Sequence, residues 1–252
     1  MSIDSASYRM ESTLAFFVEE IRQESCLISA SEFSTDSSLR HQHFKFRIAQ
    51  NHQHHKSANQ LLNKMYSWRG YDTRKILELD TGRITLIAYS NEEAVGTLSI
   101  GSDSSKGLFA DELYHEELNV LRAQGRSISE FRNFAVEARI KSMRLLASMI
   151  HITYLYLYRI LNHSDGVFEV NPRHAVFYEK KLGFTRIGPE RICPRVNAPA
   201  VLLRNHFPYM AEQIKKFGGL TGNAPGDKSL YPYFFSQAEE TAILARLRNC
   251  SI

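Results

Sequence analysis

The chain has 252 residues, 43% hydrophobic and 23% charged, which is enough to bury a core and too apolar for a disordered polypeptide. Its formal charge of +4 comes from 31 Lys+Arg against 27 Asp+Glu; this small, scattered excess excludes the concentrated basic stripe of a nucleic-acid binder but suits an acidic partner protein. Cys26, Cys193 and Cys250 are widely spaced with no CxxC, so neither a disulfide framework nor a zinc site follows, and a reducing cytoplasm is the expectation. Leu14–Val18 is too short for a secretory signal, and the apolar stretch Met149–Leu161 is interrupted by His151, Thr153 and Arg159, so no membrane span is expected.

Residues 1–40 read as an appendage, with an amphipathic helix over Ser12–Glu24 and a Ser-rich linker over Ser29–Ser38. Residues 41–206 read as the main domain. Phe44, Phe46 and Ile48 alternate as in a strand, and Ser57–Arg69 is helical with Gly70 as its stop. Arg83–Tyr89 and Ala94–Ile100 form a hairpin around a polar turn. A helix over Leu108–Arg122 stops at Gly125, and Ser129–Val136 is a strand. Ile140–Leu161 is a long apolar helix and Val167–Val170 a short buried strand. Pro172 opens a helix that Gly183 closes, and the strands Phe184–Ile187 and Ala200–Arg204 complete the domain. The order predicts an α/β (α+β) fold, a mixed, mainly antiparallel sheet flanked by helices. Residues 207–252 read as a second helical appendage, with helices over Met210–Phe217 and Ala238–Arg248 around a loop at Gly218–Ser229.

The most specific local signal is Asn171-Pro172-Arg173-His174, followed by Phe177-Tyr178 and Leu182-Gly183-Phe184. It resembles the last motif of the GNAT superfamily of acyltransferases, where such a helix supports the acyl carrier, and the element order resembles that superfamily's sheet. Members that use coenzyme A follow the central strand with a glycine-rich loop that cradles a pyrophosphate. The corresponding stretch here, Ala135 to Ser142, has no glycine, and bulky side chains hinder close backbone approach. Arg139, Lys141 and Arg144 instead place positive charge there. They read either as a solvated face or as a dock for an acyl carrier protein.

Ile128 to Val136, with Glu130 and Phe134, resembles the corresponding strand of acyl-homoserine-lactone synthases, although Asn133 stands where that family has an Arg. A closer resemblance covers about residues 43–206. It rests on Tyr66-Ser67-Trp68-Arg69-Gly70-Tyr71, Gly96-Thr97-Leu98 with Asp103, and Gly107-Leu108 through Asp111 to Tyr114. It continues through Glu117-Leu118, Leu121-Arg122, Gly125-Arg126, Glu130, Phe134-Ala135-Val136, the 171–184 motif, and Cys193-Pro194-Arg195-Val196 with Ala198-Pro199-Ala200. Together these are similar to the bacterial long-chain N-acyl amino acid synthases. The resemblance implies transfer of a fatty acyl group from the phosphopantetheine of acyl carrier protein to an amino acid, with no permanently bound cofactor. Contact with a membrane would then be peripheral, through the lipid product.

Aminolysis of a thioester needs a neutral amine, a polarised carbonyl and a proton for the leaving thiolate. Glu130, a carboxylate in a mainly apolar strand, can bind the ammonium and take its proton, or form a salt bridge with Arg132 or Arg126. Tyr178 can protonate the thiolate or simply pack beside Phe177. His174 can bind the amino acid carboxylate, act as a base, or be structural. Asn133, Phe134, Trp68 and Tyr71 are the expected substrate contacts, and Ile140–Leu161 reads either as the wall of an acyl tunnel or as a well-filled core. Five histidines lie between His41 and His55, but His52, His54 and His55 read as a turn without acidic or cysteine partners, so no metal is expected. Cys193 reads as a packed thiol. An acyl-homoserine-lactone synthase and a non-catalytic acyl-binding protein are the alternatives.

Overall fold

The computed structural model describes residues 28–32, 42–67, 83–220 and 226–249. The expected helix at Ser12–Glu24, Trp68, Tyr71, Cys26 and Cys250 lie outside them. Strands β1 (Ile28–Glu32), β2 (Gln42–Ile48), β3 (Arg83–Ser90) and β4 (Glu93–Ser102) form an antiparallel run with helix α1 (His52–Ser67) between β2 and β3 in sequence. The β3–β4 hairpin turns on Asn91 and Glu92, both with positive φ (50° and 63°), the twist that suits a two-residue turn. Helix α2 (Asp111–Ala123), β5 (Ile128–Val136), α3 (Met143–Tyr154, continued by a π-helical segment Leu155–Ile160) and β6 (Asp165–Val170) follow. Helix α4 (Pro172–Leu182), β7 (Thr185–Arg186), β8 (Arg191–Cys193), β9 (Ala198–His206), α5 (Phe207–Phe217) and α6 (Gln237–Asn249) complete the chain. The sheet runs β1-β2-β3-β4-β5-β6-β9-β7, with β8 on β9.

Several boundaries differ from the sequence reading. The Ser-rich stretch read as a linker begins as strand β1, because the edge of β2 supplies backbone partners from Ile28↔Phe46 to Glu32↔Gln42 whatever the intrinsic preference of serine. His52, His54 and His55 lie in α1, not a turn: the Asn51 side chain accepts the His54 N–H at 2.9 Å and starts the helix early. Helix α2 begins at Asp111 rather than Leu108, and α3 at Met143, where the Ser142 hydroxyl caps the Leu145 N–H at 2.9 Å. The predicted stop at Gly183 is as expected, in the left-handed region at φ 70°.

Every neighbouring pair in the main sheet is antiparallel except β5–β6, which pairs in parallel only from Ile128↔Asp165 to Phe131↔Phe168. Beyond that point the two strands part. A β-bulge helps to separate them: between Thr97 and Ser99 on β4 there is one residue, whereas β5 places Asn133 and Phe134 between the partners Arg132 and Ala135, with Asn133 at φ 52°.

Tyr114, Leu118 and Leu121 of α2 bury against Ile128, Val167 and Leu202 on one face, where Leu61, Leu62 and Met65 of α1 also pack on Ala135. The opposite face carries the main core, in which α3 lies against Phe44, Phe46, Leu86, Leu98 and Phe131. Phe207, Met210, Phe234, Phe235, Leu244 and Leu247, from the segment the sequence sets apart, bury in that same cluster. Two buried polar residues of α3 tie it down. Arg144 donates to the carbonyls of Tyr233 (2.6 Å) and Phe234 (3.0 Å) and pairs with Glu239 at 2.9 Å. His151 accepts the Phe235 N–H at Nδ1 (3.0 Å), which leaves its proton on Nε2 facing Glu240 at 2.8 Å; burial holds its pKa below the usual histidine value. No helix among the described residues is long and apolar enough to cross a membrane.

Arg144 is 7% exposed and points into the protein, so it is not a cation presented to a carrier protein, contrary to the sequence reading. Arg144→Met should leave two buried carbonyls without their donor and cost about 2–3 kcal/mol, lowering the Tm by about 5–10 °C in a circular-dichroism melt. Turnover per folded molecule should be unchanged.

Candidate active site

Where β5 and β6 part, a cavity of about 310 Å³ opens, within the size range of small-molecule sites. Five of the sequence candidates line it: Glu130, Asn133, Phe134, His174 and Tyr178. Arg139 and Lys141 do not, and both are exposed. Arg139 pairs with Glu93 and with Glu137 (2.9 Å to the latter). No residue of Ile140–Leu161 lines the cavity, contrary to the acyl-tunnel reading, because α3 is spent on packing against the sheet. The apolar walls come instead from Met65, Phe131, Phe168, Val170 and Val196.

Glu130 is 2% exposed. Strand alternation puts it on the α2 face, between Ile128 and Arg132. Its two oxygens accept the backbone N–H groups of Phe109 (2.9 Å) and Ala110 (3.0 Å), the residues immediately before α2. The salt-bridge alternative is present but loose: Arg132 Nε lies 3.7 Å away, while Arg126 faces Asp165 at 3.9 Å. Burial is the largest influence on the carboxyl and pushes its pKa up to about 7; Arg132 and the Phe109 N–H oppose the rise and Glu169 adds to it. Ionising this group therefore draws on folding stability as pH rises from the ordinary carboxylate range through 7. A fold keeps such a residue for chemistry more readily than for strength.

Tyr178 meets Phe168, Phe177 and Phe184 edge-on at 5.1, 5.4 and 5.8 Å between ring centroids. Its hydroxyl has no hydrogen-bond partner among the described residues. Burial, with Tyr66 a smaller contributor, pushes the phenol well above its usual pKa, so it stays protonated and suits a proton donor. His174 is exposed at the third position of α4, where its Nε2 accepts from Arg173 Nε at 3.1 Å. The Asn171 side chain caps that helix through the Arg173 N–H at 3.2 Å. Beside the bulge, the Tyr66 hydroxyl donates to the Phe134 carbonyl at 3.2 Å.

Sequence reasoning missed Phe109, Glu169 and Arg195 as site residues and gave Arg132 only as a salt-bridge partner of Glu130; all four are in the cavity wall. Arg195 donates to Glu169 at 2.7 Å and to the Phe109 carbonyl at 3.0 Å, and also pairs with Glu112. The Arg132 guanidinium lies 3.8 Å from the Phe109 ring centroid. Glu169 carried a readable signal, since it is a charged residue in a short apolar strand, the same anomaly that singles out Glu130. Arg195 was visible only as part of the Cys193–Val196 stretch of the family resemblance. No group of three or more His, Cys, Asp or Glu that could hold a metal occurs among the described residues.

The fold, an open and mainly antiparallel sheet whose β5 and β6 part at the cavity, is GNAT-like, and fold and family together make the chain an N-acyltransferase. The family model for the N-acyl amino acid synthase FeeM matches residues 57–206. The chain belongs to that family. It is similar to the solved structure of FeeM, an N-acyl amino acid synthase from uncultured soil microbes, at 27% identity and a TM-score of 0.61, over 67% of this chain and 94% of that one. An acyl-CoA N-acyltransferase from Pseudomonas aeruginosa matches at 10% identity and TM-score 0.48, over 64% and 99% of the two chains. The AHL synthase LasI matches at 15% and 0.45, over 66% and 91%. No curated protein sequence matches the chain.

Cys193 lies in the cavity wall, 1% exposed. Burial first, then Glu169, push its thiol up to about 11. It should alkylate with iodoacetamide at pH 8 about 10²-fold more slowly than a small-molecule thiol, read by peptide-resolved mass spectrometry. Labelling at the small-thiol rate would contradict a packed thiol.

Proposed function

We propose that the protein transfers a long-chain fatty acyl group from acyl carrier protein to the α-amine of an amino acid. The observation that carries this reading is Glu130, a buried carboxylate that ionises near neutral pH at the point where the sheet opens. The acceptor's ammonium sits against Glu130, which takes a proton from it directly or through water. The freed amine adds to the thioester carbonyl, and the tetrahedral intermediate collapses with cleavage of the C–S bond. The leaving thiolate takes a proton from Tyr178, and the phenolate takes back the proton that the amide nitrogen sheds on collapse, giving the amide, a free phosphopantetheine thiol and a neutral Tyr178. The cationic residues of the wall, with Arg173 and His174 at the mouth, suit the acceptor's carboxylate. Asn133 and Phe134 at the bulge, with Trp68 and Tyr71 of the family-matched segment, complete the proposed substrate contacts.

The donor reading rests on the turn after β5. It has no glycine, and it carries the buried carboxylate of Glu137, whose N–H is already engaged by the Val95 carbonyl at 2.8 Å. That is poor ground for a diphosphate, whereas a carrier protein delivers a single phosphate and an acidic surface, which Arg139 and Lys141 suit.

The test is to offer one acyl chain on acyl carrier protein and on coenzyme A, with a mixture of amino acids, and weigh the products. An N-acyl amino acid should form, with kcat/KM about 10²-fold higher for the carrier protein. While the chain lies in the cavity, each added pair of carbons should raise kcat/KM about 15-fold, from about 0.8 kcal/mol per CH₂. Equal donors would overturn the carrier reading, a flat chain-length series the long-chain reading, and no amide from either donor the transfer itself.

A further inference from the structure

Both oxygens of Glu130 are met by backbone N–H groups of one short loop, so the position of that loop bears on the state of the carboxylate against the larger effect of burial. Its start is tied to β5 by the Asp103 N–H on the Ile128 carbonyl at 3.0 Å. It turns at Gly107, φ 73°, where an added Cβ would lie 2.8 Å from Asp111 Oδ2. That same oxygen accepts the Leu108 N–H at 2.6 Å, one residue before the two donors that reach Glu130.

One side chain holds both ends of the loop. Arg122, in the last turn of α2, donates through Nε and Nη2 to the two oxygens of Asp103 (2.7 and 2.9 Å). Through Nη1 and Nη2 it donates to the two oxygens of Asp111 (2.7 and 2.6 Å), and Nη1 also reaches Asn119 at 2.9 Å. A guanidinium bridging two carboxylates in this way fixes direction as well as distance, which an ammonium cannot do. Arg122 does not line the cavity.

We propose that Arg122 is a positioning residue: through Asp103 and Asp111 it sets the 103–110 loop so that the N–H groups of Phe109 and Ala110 meet Glu130. Two further contacts serve the same end from within the cavity, Arg195 on the Phe109 carbonyl and Arg132 over its ring. The inference rests on Glu130 acting as the base only where it concerns rate; the geometric part does not. The charged groups facing Glu130 are Arg132 on its own strand, Glu169 on β6 and Arg195 after β8. Those facing the clamp are His115, 3.0 Å from Asp111, and His163, whose pKa is lowered by burial and partly restored by Asp103.

The sign of the effect is determined. Two N–H donors favour the ionised carboxylate, so letting them drift raises its pKa above about 7. Arg122→Lys keeps the charge and removes the fork. Asp111→Ala removes a negative charge, which taken alone would lower the pKa, so a rise there identifies lost positioning and not a Coulomb effect.

The experiment titrates the Glu130 side-chain carboxyl by ¹³C NMR on protein labelled at glutamate, its resonance assigned by its absence in Glu130→Gln. The acidic limb of kcat/KM against pH is measured on the same samples. In both variants the carboxyl should titrate about one pH unit higher, a tenfold change in the ionised fraction at a given acidic pH. The rate limb should move with it, and kcat/KM at pH 9 should stay near wild type. An unmoved carboxyl in a folded variant would overturn the positioning role. A carboxyl that moves while the rate limb stays would uphold the positioning and remove Glu130 as the base.

Discussion

The structure depends on where a carboxylate can be held in the middle of a sheet. An ionisable side chain with almost no exposure is expensive unless its charged form is met by donors. Here the donors are two backbone N–H groups at the start of α2, which themselves need acceptors. Glu130 and the entry to α2 therefore satisfy each other, and the exchange leaves about half of the carboxylate's lone pairs for a substrate. Because burial outweighs the donors, the group ionises near neutrality, which is where a base for an ammonium acceptor works best.

The opening of the sheet supplies the other half. A parallel pair that ends after four residues and a bulge at Asn133 leave a wedge between β5 and β6. Side chains from both faces reach that wedge: Glu130 and Glu169 from the α2 side, Phe131 and Phe168 from the α3 side. A site formed in this way is polar at one wall and apolar at the other, as an acyl donor and a charged acceptor together require. Outside the family-matched segment, residues 226–249 are bound onto α3 by Arg144 and His151 through hydrogen bonds.

Much of this was readable from residue order. Alternation and glycine stops located most strands and helices, and the carboxylate in an apolar strand pointed to a residue that lines the cavity. What failed did so for physical reasons. Periodicity assigned Leu108–Ala110 to a helix, because the capture of the Phe109 and Ala110 N–H groups by a side chain about twenty residues away leaves no local trace. The serines of β1 read as a linker because sheet pairing belongs to the partner strand. Arg139, Lys141 and Arg144 looked like one basic patch, yet the third turns inward to two carbonyls; charge is written in sequence, side-chain direction is not. The clamp at Arg122 joins residues 103, 111 and 122 across a turn and a helix, so it appears only once the chain is folded.

The most direct test of Glu130 is its replacement by glutamine, with kcat/KM per folded molecule, far-UV circular dichroism and Tm measured together. The amide keeps one acceptor and places an NH₂ where the other was, so one of the two backbone donors loses its partner and the Tm falls modestly. If Glu130 takes the acceptor's proton, kcat/KM above pH 7 drops by about 10²–10⁴-fold in a protein that still folds. A folded variant with wild-type turnover would show instead that Glu130 only holds the start of α2.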